Sequence, residues 1–429
     1  MKHVEIPKIL LKRVEELEDF YRKNYEPVVP FVRQCFLNTM ETTVFVNPGE
    51  EAFVITGDIP AMWLRDSAAQ LHPYLKYAKE DEDLYEILAS VLRRQISQVC
   101  SDSYANAFNE QADGKGWITD HTRHNPIVWE RKYEVDSLCA PINFAYELYQ
   151  ATGRTDMFDR NFYQMVTIIV TQWELERNHQ NSDYYFERKN APQSDTLANH
   201  GKGNAVDYTG MTWSGFRPSD DCCVYGYLIP SNMLACVALK RVSSILKEAY
   251  HDGILANRCQ ELEKTIRNGI STYGIIENEK YGKIYAYETD GKGNDTLMDD
   301  ANVPSLLSSS YIGFSNSTDE IYQNTRRYIL SPDNPYYYEG QSAKGIGSPH
   351  TPEGYIWPIS LIMQALTGDS REEIENCLEM LVNTHAGTNY IHESFHKDHP
   401  EKYTRPWFAW ANSLFGELID TLCEKNIFK

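Results

Sequence analysis

The chain has no basic excess: 41 Lys and Arg stand against 61 Asp and Glu, a formal charge of −20 at pH 7. A nucleic acid or an anionic membrane needs a basic face, so neither is expected as the main partner, while a neutral ligand is compatible. No apolar run is long enough to cross a bilayer, and Met1 to Lys8 holds no apolar segment followed by a cleavage site, so a cytoplasmic protein is expected. The nine cysteines are odd in number and contain no Cys-x-x-Cys pair, which argues against a disulfide framework and a thiolate zinc site; Cys222 and Cys223 read as small buried thiols. No Ser/Pro linker, charge block, low-complexity run or short repeat divides residues 1–429, so one domain is expected rather than a string of modules or a solenoid. Phosphate and dinucleotide loops, the G-x-S-x-G elbow and the D-x-[DN]-x-[DN]-G calcium loop are also missing, and no cofactor is implied. No pattern fixes an oligomeric state.

What the chain does have is aromatic surface and helical spacing. It holds 29 Tyr, 16 Phe and 8 Trp, more than an ordinary core needs and suited to stacking. Apolar residues recur at helical spacing from Ile9, over 31–40, and then at 66–79, 83–99, 134–149, 157–177, 230–250, 254–273, 303–312, 318–330, 354–366, 371–382 and 407–422, about a dozen helices. Long loops rich in Gly, Pro, Asn, Asp and aromatics fill 101–132, 186–228, 279–302, 332–353 and 385–406. Every second connection tends to be long, which suits paired helices in an α/α toroid whose elaborated loops gather at one mouth, with a small hairpin at Tyr281 to Thr289.

Chemistry concentrates first in Val54 to Tyr74, where Trp63, Arg65 and Asp66 fall at a loop-to-helix junction after Gly57, Asp58 and Pro60. An indole suits the C–H face of a sugar, and a guanidinium beside a carboxylate suits vicinal hydroxyls. The plainer alternative is a helix-start ion pair with Trp63 in the core. Thr209 to Asp221 repeats the composition, with Trp213, Arg217 and the adjacent acids Asp220 and Asp221. Two neighbouring carboxylates discourage each other's ionisation, so one of them can stay protonated as a general acid; the pair can equally cap a helix.

The segment Asn389 to His396 sets Glu393 between aromatics and two histidines. His392-Glu393-Ser394-Phe395-His396 also fits H-E-x-x-H, with Glu417 downstream as a possible third zinc ligand, which gives a metallopeptidase as the rival reading. Against it, His399 and Lys402 occupy the Gly and His positions of the extended motif, and Gly387, Asn389, Pro400 and Pro406 bracket a stretch with poor helical periodicity. Asp299, Asp300 and Asn302 precede the expected helix at Val303, and His350 and Glu353 sit in a loop fixed by Pro and Gly. A non-catalytic sugar-binding toroid is a third reading of the same groups.

Taken in order, Thr56 to Ser67, Arg217 to Asp221, Met298 to Pro304 and His392 to Phe395 resemble glycoside hydrolase family 125, the exo-α-1,6-mannosidases, and the resemblance runs through nearly the whole chain. It implies an all-α (α/α)6 barrel that removes non-reducing terminal α-1,6-linked mannose from oligosaccharides or N-glycan fragments, with inversion and without a metal. It also implies Asp220 as general acid and Glu393 as general base, a choice between Asp220 and Asp221 that the residues alone leave open. Trp63, Arg65, Asp66, Trp213, Arg217, Asp299, Asp300, Asn302, His350 and His392 are the expected sugar contacts.

Overall fold

Helical periodicity becomes twelve α-helices of eight residues or more among the described residues, which are 2–47, 49 and 51–428 of the computed structural model. In chain order they are α1 (Lys8–Asn24), α2 (Val29–Phe36), α3 (Leu64–Leu71), α4 (Glu82–Ser101), α5 (Val135–Thr152), α6 (Arg160–Glu176), α7 (Ile229–Glu248), α8 (Gly253–Tyr273), α9 (Glu320–Ile329), α10 (Pro358–Leu366), α11 (Arg371–Asn383) and α12 (Ala409–Glu424). Helices α3, α5 and α7 touch in succession, α10 packs on α12, and α12 returns to α3; α2, α4, α8 and α11 lie outside on α12, α5, α7 and α10. This is the expected (α/α)6 arrangement. Ala68, Ala140, Phe144, Leu234 and Trp410 of the inner helices line a cavity of about 160 Å³ at its centre. One contiguous core runs from Val4 to Phe428, and no described helix is long and apolar enough to cross a membrane.

Four of the outer helices start differently from the inner ones, while α2 and α9 carry no side-chain cap either. Asp81, Asp159, Asp252 and Ser370 accept backbone N–H bonds at the starts of the outer helices α4, α6, α8 and α11, satisfying donors that a helix end leaves free. The inner helices α3, α5, α7, α10 and α12 carry no such side-chain cap. Three of them are entered from small antiparallel sheets. Met62–Trp63 pairs with Ala107–Phe108 ahead of α3, Tyr227–Leu228 with Glu288–Thr289 ahead of α7, and Tyr355–Ile356 with Ser394–His396 ahead of α10. The long loops therefore meet at the N-terminal ends of the inner ring.

Two expected elements differ. Residues 303–312 form only a 3-10 turn, Leu307–Ser309, because side chains take the backbone donors: Asp299 accepts from the N–H groups of Leu306 and Leu307, and Ser305 and Ser308 bond each other's N–H. The hairpin lies earlier than Tyr281 to Thr289, pairing Ile275–Asn278 with Gly282–Tyr285. Asn278 sets that turn by accepting from the N–H groups of Lys280 and Tyr281, and Glu288–Thr289 joins Tyr227–Leu228 instead.

Candidate active site

The loop 217–221 is a built turn. The N–H of Asp220 bonds the carbonyl of Arg217 at 2.9 Å, with Pro218 at the second turn position, and the N–H of Arg217 bonds the carbonyl of Asp221 at 2.8 Å. Asp220 closes the turn at φ 67°, a left-handed conformation that glycine adopts freely and aspartate at some cost. Strain kept at such a position aims its side chain. The turn is anchored by Arg217, whose Nε donates to Glu288 Oε1 at 2.6 Å while Glu288 Oε2 accepts from the N–H groups of Val224 and Tyr225. Lys132 donates to the Asp220 carbonyl at 2.8 Å and pairs with Asp195. Arg217, expected to touch sugar, holds the turn.

Arg65 lies at the centre of the site. Its Nη1 donates to Glu134 at 2.6 Å and Asp136 at 3.3 Å, and its Nη2 reaches Asp66 and Asp220 Oδ1, each at 3.4 Å. Glu134 and Asp136 side chains are fully buried, whereas that of Asp220 is 26% exposed. Burial opposes ionisation of Asp220, but Arg65 and Lys132, helped by a hydrogen bond from Glu134 and by His350, hold its carboxyl at about 2. Burial pushes Glu134 well above the ordinary carboxylate range, and Asp66 and Asp136 also move up. Asp220 and Asp221 face different cations, Asp220 lying 3.4 Å from Arg65 and Asp221 pairing with His350 at 3.0 Å.

Glu393 comes from a separate loop. It is buried, and its Oε1 lies 3.5 Å from Nη1 of Arg405, whose Nε and Nη2 grip Asp58. Gly57 lets the segment after Arg405 approach: at φ 123°, an added Cβ would lie 2.5 Å from the Trp407 carbonyl oxygen. His350, 38% exposed, joins the two halves of the site. Burial works against its charge, but the hydrogen bond to Asp221 and the fields of Glu393 and Asp220 raise it to about 9, so it is an imidazolium at neutral pH. Glu353, in the same loop, is exposed.

His392 stacks on Tyr403 with ring centroids 3.8 Å apart, its Nε2 lies 3.0 Å from Thr388 Oγ1, and burial lowers its affinity for a proton. The H-E-x-x-H geometry fails, because Ser394–His396 is a strand and does not put both histidines on one helical face. Glu417, the proposed third ligand, accepts from Tyr311 and pairs with His72. No group of His, Cys, Asp and Glu suited to a metal occurs among the described residues.

The remaining expected contacts divide. Trp63 is buried with Ala61 and Ala107, its Nε1 unpaired; Asp66 Oδ2, Asp221 Oδ2 and His392 Nδ1 are likewise buried without a hydrogen bond. Trp213 stacks on His179 at 3.5 Å, with Gly203 and Gly226 packed against the indole, so it supports the floor from the core. Asp299 caps the 3-10 turn, and burial raises it to about 8. Asp300 accepts from Asn302 at 3.0 Å and from Ser348 at 3.1 Å, tying two loops together below His350. Sequence reasoning missed Lys132, Glu134, Asp136 and Arg405. The run of charge from Glu130 to Asp136, just ahead of a helix, was the available signal for three of them.

Residues 27–420 match the family described as metal-independent alpha-mannosidase, GH125. The chain is 37% identical to the Meiotically up-regulated gene 157 protein of Schizosaccharomyces pombe, over 96% of this chain and 84% of that protein. It is 46% identical to a metal-independent alpha mannosidase of Streptococcus pneumoniae, solved as a non-productive substrate complex with alpha-1,6-mannobiose, with a TM-score of 0.95 over 97% of this chain and 98% of that one. A bacterial glucoamylase complexed with acarbose shares the fold at 12% identity and a TM-score of 0.56, over 85% of this chain and 49% of that one.

Proposed function

Since the chain belongs to the metal-independent α-mannosidases of glycoside hydrolase family 125, we propose that it is an inverting exo-enzyme that hydrolyses non-reducing terminal α-1,6-linked mannose, with Asp220 as general acid and Glu393 as general base. The observation that carries this reading is that Asp220 and Glu393, from separate loops, each face a guanidinium of their own, Arg65 and Arg405, while the imidazole of His350 pairs with Asp221 next to the acid. The alpha-1,6-mannobiose bound by the streptococcal relative supports the linkage.

Asp220 protonates the glycosidic oxygen as the C1–O bond breaks. Glu393 takes a proton from the water that attacks C1 on the opposite face, so the product is β-mannose; inversion requires carboxyls about 6.5–9.5 Å apart. Arg405 holds the base, and Asp66 and His350 meet hydroxyls of the terminal sugar. In this reading Arg65 and Asp66 bind hydroxyls of the terminal mannose and block a longer chain, so cleavage is confined to chain ends.

The test follows the anomeric protons by NMR during hydrolysis of α-1,6-mannobiose, with and without EDTA. β-Mannose appearing first, at a rate EDTA does not change, is the expected result. Initial α-mannose would overturn inversion, and absence of cleavage would overturn the substrate.

A further inference from the structure

Glu134 is the N-cap residue of α5 and its side chain is fully enclosed, so it cannot touch a sugar. Its two oxygens have different surroundings. Oε2 accepts from Arg65 at 2.6 Å and from Ser137 at 2.7 Å, which fills it. Oε1 faces only the Asn106 amide nitrogen, at 3.1 Å, and that same nitrogen is 3.4 Å from Asp220 Oδ1. Arg65 spans the same two groups with its two terminal nitrogens. The Glu134 and Asp220 carboxyls thus share two donors, the Asn106 amide and the Arg65 guanidinium, which hold them side by side. Charged groups facing the pair are Arg65 and Asp66 from α3, Asp136 from α5, Glu130 and Lys132 from the segment before it, and His350 from the loop opposite.

From this geometry we infer that Glu134 is a positioning residue that stores, on Oε1, the proton Asp220 delivers to the glycosidic oxygen. The inference rests on the general-acid reading of Asp220. In the free enzyme the pair holds one proton, on Glu134, and Asp220 is a carboxylate. When the sugar covers the partly exposed carboxyl of Asp220, the proton crosses to it, leaving a Glu134 carboxylate on Arg65 and Ser137. Asp220 then gives it to the departing oxygen as the C1–O bond breaks. Glu393 gains the proton of the attacking water, and after product release it loses that proton to solvent while the pair takes one up, so the cycle consumes only water. Arg65 serves both forms, stabilising whichever carboxyl is charged, and low-dielectric surroundings keep the exchange between the two groups.

The test compares Glu134→Gln with wild type on α-1,6-mannobiose and on 2,4-dinitrophenyl α-mannoside, whose leaving group needs no proton. Glu134→Gln keeps the shape and loses the proton. We expect kcat on mannobiose to fall about 100-fold, with the alkaline limb of its pH profile moved toward acid, and the dinitrophenyl substrate to change by about threefold or less. Equal loss on both substrates would reduce Glu134 to a structural role and overturn the inference. If Glu134→Gln does not fold, Ser137→Ala decides. Removing the Ser137 donor disfavours the charged carboxyl, so Glu134 keeps its proton to higher pH and the alkaline limb moves up; an unmoved limb overturns the inference. Full mannobiose turnover by Asp220→Asn would instead remove the general-acid reading itself. An inactive Asp220→Asn beside an unimpaired Glu134→Gln would remove the inference about Glu134 alone.

Discussion

Four outer helices of the barrel and its inner helices solve one problem in opposite ways. At the starts of α4, α6, α8 and α11, an Asp or Ser bonds the free N–H groups locally, as stability alone requires. At the starts of α3, α5, α7, α10 and α12 that local solution is missing, and sheets, loops and long-range ion pairs converge there. Asp66 and Asp136 lie in first turns, where the helix dipole favours a negative charge, yet both are crowded against Asp220 and Glu134 on one guanidinium. The outer ends are built to be stable, and the inner ends to hold carboxylates that the rest of the fold must keep in place.

The comparison breaks most visibly at Asp220. Replacing it by glycine suits φ 67°, so the melting temperature should hold or rise, while mannobiose turnover drops by about 10³-fold, roughly 4 kcal/mol of activation free energy. Retained turnover, measured beside a thermal melt, would show that the turn is not aimed for catalysis. Glu393→Gln should lose turnover similarly without the gain in stability.

Next in size is Arg65→Met, which leaves several buried carboxylates without their cation and should cost about 3–5 kcal/mol in urea unfolding at pH 7. Without the guanidinium those carboxyls bind protons more tightly in the folded state, so the deficit should shrink as pH falls toward 5. A variant as stable as wild type at pH 7 would mean that the inner ends need no such centre. At an outer end, Asp252→Ala should cost only about 1 kcal/mol and leave kcat unchanged; a change in kcat would erase the distinction between the rings. The smallest effect lies at His350. Its imidazole should titrate near pH 9 by NMR, and Asp221→Asn should bring the midpoint down toward the ordinary histidine value. The favourable pairing exists with His350 charged, so it is complete below the ordinary value and fades as pH rises through about 9.

These contrasts also explain what could be read in advance. Helix spacing is local, so the ring of paired helices was legible, and 303–312 misled because its apolar spacing is helical while Asp299 and two serines take the donors. Asp220 could be placed in a turn from Pro218 and its neighbours, but its partners could not, since Arg65 is 155 residues away. Glu134 read as the start of a helix because its bond to Arg65 spans 69 residues, and Arg405 as loop because its bond to Asp58 spans 347. Trp213 looked like a stacking surface since composition reveals an indole and not which of its faces is free.

The Arg65 centre carries a consequence for how such a chain can change over time. One side chain fixes the position of the acid and also holds together the ends of α3 and α5, so a substitution there changes activity and folding at once. Drift at that position is effectively closed. Divergence toward other sugars is left to exposed loop positions such as Glu353 and Glu401, which the core does not enclose.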